Sequence, residues 1–334
     1  MAAVPGNDRT PQHEGQALSV DVVDHRTDIR EFLTSRRARI TPQQAGLPVY
    51  GGNRRVTGLR REEVAMLAGV SVDYYTRLER GNLRGVSDNV LDALAQALQL
   101  DDAERAHLFD LARAANTTPR SRRRPSAARV RPSMQRVLDA LIGAPAWVHN
   151  DRLDFLAANR LGYALYSEMF ADPARPVNSA RFMFLNPRSH DFYVDWENIA
   201  DNTVAILRGA AGRNPYDKAL SNLVGELSTR SEDFRTRWAA HDVRLHRTGV
   251  KKLHHPIVGD LDLTYEGMEL PADPGLMMFV YTAEQGTRSE DGLKLLASWA
   301  ATQELTESVP ETAADISQAD SASHLSAELP PEVS

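Results

Sequence analysis

A glycine between two stretches of helical periodicity, within residues 61–81, constrains this chain more than any other feature. The apolar side chains before it recur three and four residues apart and predict an amphipathic helix: Val64, Leu67 and Ala68. Gly69 stands where a helix ends in a left-handed residue, a conformation that glycine adopts without a steric penalty. Ser71 is a typical N-cap, so a second helix is expected over 72–80. The pattern indicates a helix-turn-helix, with an ordinary helical hairpin as the alternative.

The outward side chains of the second helix are the candidates for contacting bases, because this helix enters the major groove of DNA in a helix-turn-helix. They are Ser71, Val72, Asp73, Tyr74, Thr76 and Arg77. A guanidinium at Arg77 suits guanine, a carboxylate at Asp73 suits the amino group of cytosine, and Val72 suits a thymine methyl group. We therefore expect this helix to select the DNA sequence.

Arginines around the motif are the candidates for phosphate contacts: Arg54, Arg55, Arg60, Arg61, Arg80 and Arg84. The first two lie in a long loop, residues 41–59, for which a solvated charge run is an equal alternative. Residues 24–132 hold 20 arginines, no lysine and 13 acids, a net charge of +7 in a chain of −6. Double-stranded DNA is the partner that such a basic N-terminal third indicates.

Changes in composition divide the chain into five segments: a disordered leader (1–25), a helix-turn-helix domain (26–116), a linker containing proline and arginine (117–129), a second domain (130–302) and an acidic disordered tail (303–334). The chain has no cysteine, which excludes disulfides, thiolate nucleophiles and cysteine-bound metals. No apolar run has the length of a membrane span, and the first 23 residues lack the apolar core of a signal peptide. We expect a cytoplasmic protein without a membrane span.

The second domain shows strand and helix patterns in an order that predicts its fold class. Strands are expected at 145–150, 153–157, 252–258, 261–265 and 276–282. Helices are expected at 159–169, 178–185, 196–211, 218–227 and 232–240, with a last helix capped by Ser289. Two strands, several helices and three further strands are typical of an α+β domain, in which helices cover one face of an antiparallel sheet.

Several short motifs resemble known regulators. The end of the helix-turn-helix, 78–81 (LERG), is similar to the Xre/lambda-repressor-like family. A second resemblance is to the MmyB-like regulators. It lies in seven stretches of this chain: 36–42 (RRARITP), 58–65 (GLRREEVA), 156–159 (LAAN), 178–182 (NSARF), 225–228 (GELS), 238–243 (WAAHDV) and 254–261 (HHPIVGDL). The resemblance covers about residues 26–302. It implies a mainly α helix-turn-helix domain followed by an α+β domain with a PAS-like fold. It also implies a regulator that responds to a small apolar ligand, for example one like a fatty acid.

Candidate ligand-binding residues lie in the second domain. Aromatic side chains are candidates for lining an apolar pocket, with core packing as the alternative: Trp147, Phe155, Phe182, Phe184, Trp196 and Trp238. Arg181 and Arg208 are candidates for holding a carboxylate, with ordinary ion pairs as the alternative. Asn159, His241 and His255 complete the set as polar anchors, although lone histidines commonly have structural roles.

Two other readings of the second domain compete with a ligand sensor. Motifs for zinc proteases, serine hydrolases, P-loop NTPases and dinucleotide-binding enzymes are absent from the sequence, so we expect no enzyme activity and no cofactor. The adjacent His254 and His255 point to opposite faces of a strand, so no metal site is expected there. An interaction domain that only dimerises or docks a partner is the stronger alternative. A homodimer is expected in either case, because one helix-turn-helix reads a short site.

Overall fold

A computed structural model describes residues 25–48, 56–116, 129–240 and 248–308. The predicted leader up to residue 24, the phosphate candidates Arg54 and Arg55, residues 117–128 of the predicted linker, His241 and the tail from residue 309 lie outside these described residues. No helix within the described ranges is long and apolar enough to cross a membrane.

The N-terminal domain is helical. Its helices are α1 (His25–Arg39), α2 (Arg61–Leu67), α3 (Val72–Glu79), α4 (Asp88–Ala97) and α5 (Asp102–Asn116). Gly69 between α2 and α3 has a φ of +66°, and the Ser71 hydroxyl accepts a hydrogen bond from the Tyr74 amide at 3.1 Å. Both are the features that the sequence predicts, so α2 and α3 form the helix-turn-helix. Asp101 and Glu104 form a reciprocal capping box at the start of α5.

Apolar packing and two buried acids hold these helices together. Phe32 on α1 and Tyr75 on α3 are fully buried in one apolar core. Glu79 on α3 is 2% exposed and accepts from Arg37 of α1 at 2.5 Å and from Arg61 of α2. Each buried carboxylate therefore joins separate elements, because Glu104 likewise binds two arginines of α1: Arg36 at 3.0 Å and Arg39 at 2.5 Å.

The C-terminal domain combines one sheet with a layer of helices. Helix α6 (Pro132–Ala140) precedes strands β1 (Ala146–Asn150) and β2 (Phe155–Ala158). The helices that follow are α7 (Arg160–Leu165), α8 (Ser167–Phe170), α9 (Ser179–Leu185), α10 (Arg188–Phe192), α11 (Trp196–Arg213), α12 (Lys218–Arg230) and α13 (Glu232–Ala239). Strands β3 (Thr248–His255), β4 (Gly259–Glu269) and β5 (Leu276–Thr282) lead to the last helix, α14 (Arg288–Ser308).

The sheet has five strands in the order β2-β1-β5-β4-β3, and every neighbouring pair is antiparallel. This confirms the predicted antiparallel sheet with helices. Side chains on one face, which we call the core face, pack against the helices, and Trp147 of β1, Leu263 of β4 and Tyr281 of β5 are buried there. Strand β3 lies at one edge, where the amide of Val194 donates to the carbonyl of Lys252 at 3.2 Å.

Several predicted boundaries differ from the structure. Strand β3 begins at Thr248, four residues before the predicted start, and ends at His255. The helix predicted over 159–169 is divided at Tyr166 into α7 and α8. Helix α10 was not predicted, and α14 continues to Ser308, beyond the predicted domain boundary at 302. A run of five residues such as α10 carries too little periodicity to be recognised in a sequence.

The two domains contact each other through α5 and α11, although the linker pattern alone predicts separate units. Gly212 of α11 lies against His107 of α5, so close that a Cβ atom at this glycine would be 2.6 Å from the imidazole Cε1. Next to this contact, the Arg208 guanidinium lies 4.0 Å from the Asp28 carboxylate of α1. Helix α11 of the C-terminal domain is therefore in direct contact with the N-terminal domain.

Candidate functional site

The outer face of α3 presents the predicted base-contacting side chains. Val72, Asp73 and Arg77 are exposed, while Tyr74 and Thr76 are partly buried. The Arg77 guanidinium lies 4.8 Å from the centroid of the Tyr74 ring, so the two side chains stack. A hydrogen-bond donor, an acceptor and an apolar group therefore share one helical surface, which is the combination that reads base edges in a major groove.

The predicted phosphate contacts divide into two groups. Arg80 and Arg84 are exposed beside the recognition helix, and Arg60 is exposed with an ion pair to Glu62 at 3.3 Å. Arg61 differs, because its guanidinium donates to the buried Glu79 carboxylate while half of its side chain stays exposed. Part of the predicted basic surface thus also stabilises the helix-turn-helix.

The core face of the C-terminal sheet carries a cluster of aromatic rings around Trp147. Its ring lies 5.6 Å from Phe155 and 5.9 Å from Phe279 in stacked geometry, and it meets Tyr166 and Tyr281 edge-on at 5.0 and 4.6 Å. Two of the predicted pocket residues, Trp147 and Phe155, are thereby brought together. All four tryptophans of the chain belong to this domain, and the N-terminal domain has none.

A lysine stands beside this cluster, and sequence reasoning missed it. Lys251 of β3 shares the core face of the sheet, and its Nζ lies 5.8, 5.6 and 5.8 Å from the ring centroids of Tyr193, Tyr265 and Tyr281. Burial lowers the pKa of Lys251 to about 8. The signal for it was its spacing: Lys251 precedes the buried Leu253 and His255 at intervals of two residues, which places all three side chains on the same face of the strand.

Both arginines that were predicted to hold a carboxylate ligand have partners within the protein. Arg181 binds Glu226 at 2.8 Å, and this pairing is the main cause that lowers the pKa of Glu226. Arg208 is 4% exposed, lies 4.1 Å from the Trp238 ring and donates to the Trp238 carbonyl. Both guanidinium groups have structural partners, so the ordinary ion-pair alternative describes them better.

Comparison with known protein families supplies the context for these two sites. Residues 130–296 match the family described as the MmyB-like transcription regulator ligand binding domain, and residues 30–108 match a helix-turn-helix domain. The first match alone covers half of the chain. The chain belongs to the MmyB-like transcription regulators. No curated protein matches it. It is a DNA-binding transcription regulator with a ligand-binding domain, as the resemblance predicted.

The other aromatic candidates of this MmyB-like regulator occupy two cores. Phe182 packs with Tyr193 in the core that contains Trp147, at a centroid distance of 6.1 Å. Trp196 borders the same core and donates to the Ser189 hydroxyl at 3.1 Å. Phe184 joins this core to a second, helical one, in which Trp238 stacks on Phe234 at 5.5 Å. The six aromatic candidates therefore do not belong to a single cluster.

Two polar candidates of the MmyB-like domain hold its backbone together. Asn159 caps α7 by accepting from the Gly162 amide at 2.7 Å, and its amide donates to the carbonyls of Leu141 and Ala144. His255 is fully buried, and burial lowers its pKa. Its Nδ1 accepts from the Ile257 amide at 3.2 Å, so Nε2 carries the proton and donates to a backbone carbonyl. Within the described ranges, no cluster of acids and histidines is arranged to hold a metal ion.

Proposed function

We propose that this regulator binds specific DNA sites as a homodimer and that a small apolar ligand, of the fatty-acid type, changes its DNA affinity. The observation that carries the proposal is the direct contact between α11 of the ligand-binding domain and α5 of the DNA-binding domain. Next to this contact, Arg208 of α11, which packs on the Trp238 ring of its own domain, lies 4.0 Å from Asp28 of the DNA-binding domain. A ligand that binds one arrangement of α11 more tightly than another would shift the position of the DNA-binding domain.

The proposed role consists of binding alone and includes no catalysed reaction. One α3 helix reads a short site, so two copies on two half-sites would supply the specificity that a regulator needs. The same proposal includes three features that the sequence indicates: a PAS-like fold of the second domain, an Xre-type helix-turn-helix domain and a cytoplasmic location.

Replacing single arginines tests the DNA-binding half. Arg77→Ala should relax the base preference, because a bidentate arginine–guanine pair contributes about 1–3 kcal/mol of discrimination. Arg84→Ala, the matched control beyond the end of α3, should weaken binding to all sequences and reduce the salt slope by about one ion. Site selection from a random library, followed by titrations at several salt concentrations, measures both. Equal losses with unchanged base preference in both variants would contradict this division of roles.

Mass spectrometry tests the ligand half. Native spectra of the freshly purified protein, before and after organic extraction, should show a stoichiometric apolar molecule that is identified in the extract. Adding this molecule back should change the affinity for the selected DNA site at least several-fold. An unliganded mass, together with no response to a library of lipids and metabolites, would instead favour a dimerisation or docking domain and would leave the DNA-binding half intact.

A further inference from the structure

Strand β3 places a lysine on the side of the sheet where apolar side chains are expected. Leu253 and His255 are fully buried on the core face, and Lys251 shares that face because side chains alternate along a strand. The intervening Val250 and Lys252 are exposed on the opposite face. Lys251 pairs in register with the buried Leu263 of β4, so its stem lies over the apolar core.

No acidic partner compensates this lysine. Within the described ranges, Lys251 forms no ion pair with a carboxylate, and burial alone shifts its pKa, with no charged group contributing. Its Nζ instead faces the rings of Tyr193, Tyr265 and Tyr281 at the distances given above. Aromatic rings attract a cation, but they replace only part of the hydration that burial removes. The ammonium group therefore retains an unused capacity to bind an anion.

The use of lysine here departs from the rest of the chain. The chain has 35 arginines and four lysines, and the other three lysines are exposed: Lys218, Lys252 and Lys294. Arginine forms the structural ion pairs of the cores, as Arg36 and Arg37 show. Lysine is a compact point charge whose pKa responds to its surroundings, which suits a charge that is compensated only when a ligand is present.

Tyrosine hydroxyl groups are also part of the surroundings of Lys251. The Tyr166 hydroxyl donates to the Tyr281 hydroxyl at 3.2 Å, and Tyr193 also interacts with Tyr166. Burial raises the pKa of all three phenols well above the usual value, so they stay protonated and can donate hydrogen bonds. An ammonium group next to phenolic donors is a suitable environment for a carboxylate. The buried rings of Trp147 and Phe279, which stack on each other, form the apolar core beside it.

We propose that Lys251, together with the tyrosine hydroxyls around it, binds the carboxylate of an organic acid whose apolar body packs on the aromatic cluster. This inference rests on the proposed ligand-sensing function and assigns to it the residue that anchors the ligand. It replaces the two arginines, Arg181 and Arg208, that the sequence indicated for this task.

Binding of matched acids and alcohols to the full chain tests the anchor. Isothermal titration of decanoate and 1-decanol should give at least tenfold tighter binding of the acid. Lys251→Met, which keeps an apolar stem of similar length, should weaken decanoate binding about 10- to 100-fold and leave decanol binding unchanged, because a hydrogen bond to a charged group is lost. Lys252→Met, the control on the opposite face, should change neither.

A second variant and a pH series keep the test valid if Lys251→Met does not fold. Tyr281→Phe removes one hydroxyl and should weaken decanoate several-fold without affecting decanol. With wild-type protein, raising the pH from 7 to 9.5 should weaken decanoate about tenfold or more, because Lys251 loses its proton. The other groups that face the site do not change charge in this range, since burial raises the pKa of the tyrosines and lowers that of His149.

The outcomes separate this inference from the proposed function. Acid preference that depends on Lys251 supports the inference, and a parallel pair, 2-naphthoate and 2-naphthol, distinguishes an aromatic from an aliphatic body. Equal binding of acid and alcohol, or an unchanged preference in Lys251→Met, overturns the anchor while leaving a ligand sensor intact. Absence of binding by either acid also overturns the anchor, whereas the proposed function is decided separately by the extract and the DNA titration.

Discussion

In the N-terminal domain two buried glutamates each bind two arginines, whereas in the C-terminal domain a lysine on the core face of the sheet forms no ion pair with any acid that the structure describes. Glu79 and Glu104 are as buried as the leucines around them, and their partners come from helices that they join. Lys251 forms no ion pair within the described ranges, and its Nζ lies near three tyrosine rings. Paired charges inside a protein fix the arrangement of its elements, while an uncompensated charge costs stability and is available to a ligand. The buried charges of the N-terminal domain therefore belong to its packing, whereas the lysine of the C-terminal domain is available to the ligand that we propose.

The largest effect in this comparison is expected from Glu79→Gln. It leaves the largely buried Arg37 without its carboxylate, and breaking a buried pair in this way costs about 3–5 kcal/mol. Hydrogen exchange of the α3 amides in the full chain measures the loss within the N-terminal domain. Glu62→Gln, which removes an exposed pair with Arg60, is the control and should cost less than about 1 kcal/mol. If both variants behave alike, the buried pairs do not hold the domain together.

An intermediate effect is expected at the contact between the domains. Gly212→Ala places a Cβ atom against His107 and should destabilise the α5–α11 contact by about 1–3 kcal/mol. Gly209→Ala, one turn earlier on α11, meets only the flexible end of Arg213 at 3.4 Å and should instead stabilise the helix by about 0.5–1 kcal/mol. Thermal unfolding and hydrogen exchange of α5 compare the two variants. Similar behaviour of both would mean that the domains do not depend on this contact.

The smallest effect concerns pH. Burial lowers the pKa of His255, against the hydrogen bond to the Ala164 carbonyl, so the folded state binds a proton less readily than the unfolded chain. Stability is therefore complete above the unfolded pKa of about 6.5 and is lost as the pH falls toward the lower folded value. His255→Gln should make the melting temperature of the C-terminal domain fall less between pH 7.5 and 5.5. The buried His149 contributes in the same direction as His255.

Local signals explain which elements were predictable. The glycine at 69 and the cap at Ser71 act within one helical turn, and the structure confirms both. Strand β5 was predicted with its observed bounds, because a continuous apolar run between turns identifies a buried strand. The start of strand β3 was predicted four residues too late, since Gly249 and Lys251 interrupt the apolar half of its alternation.

Long-range contacts explain what the sequence could not supply. Gly212 and His107 are separated by about a hundred residues, so nothing local indicates that they meet. Arg181 and Arg208 were reasonable carboxylate clamps by residue type alone, but Glu226 and Trp238 use them. The surroundings of Lys251 could not be predicted either, because the fold brings three tyrosines from separate segments of the chain to it.

The distribution of tryptophan gives the molecule an optical asymmetry. All of its indole emission arises in the ligand-binding domain, with Trp147 inside the ring cluster and Trp238 against Arg208. DNA that binds to α3 touches no fluorophore of this kind. A shift of the emission spectrum on adding DNA would therefore report a rearrangement carried through α5 and α11, and it would do so in unlabelled protein.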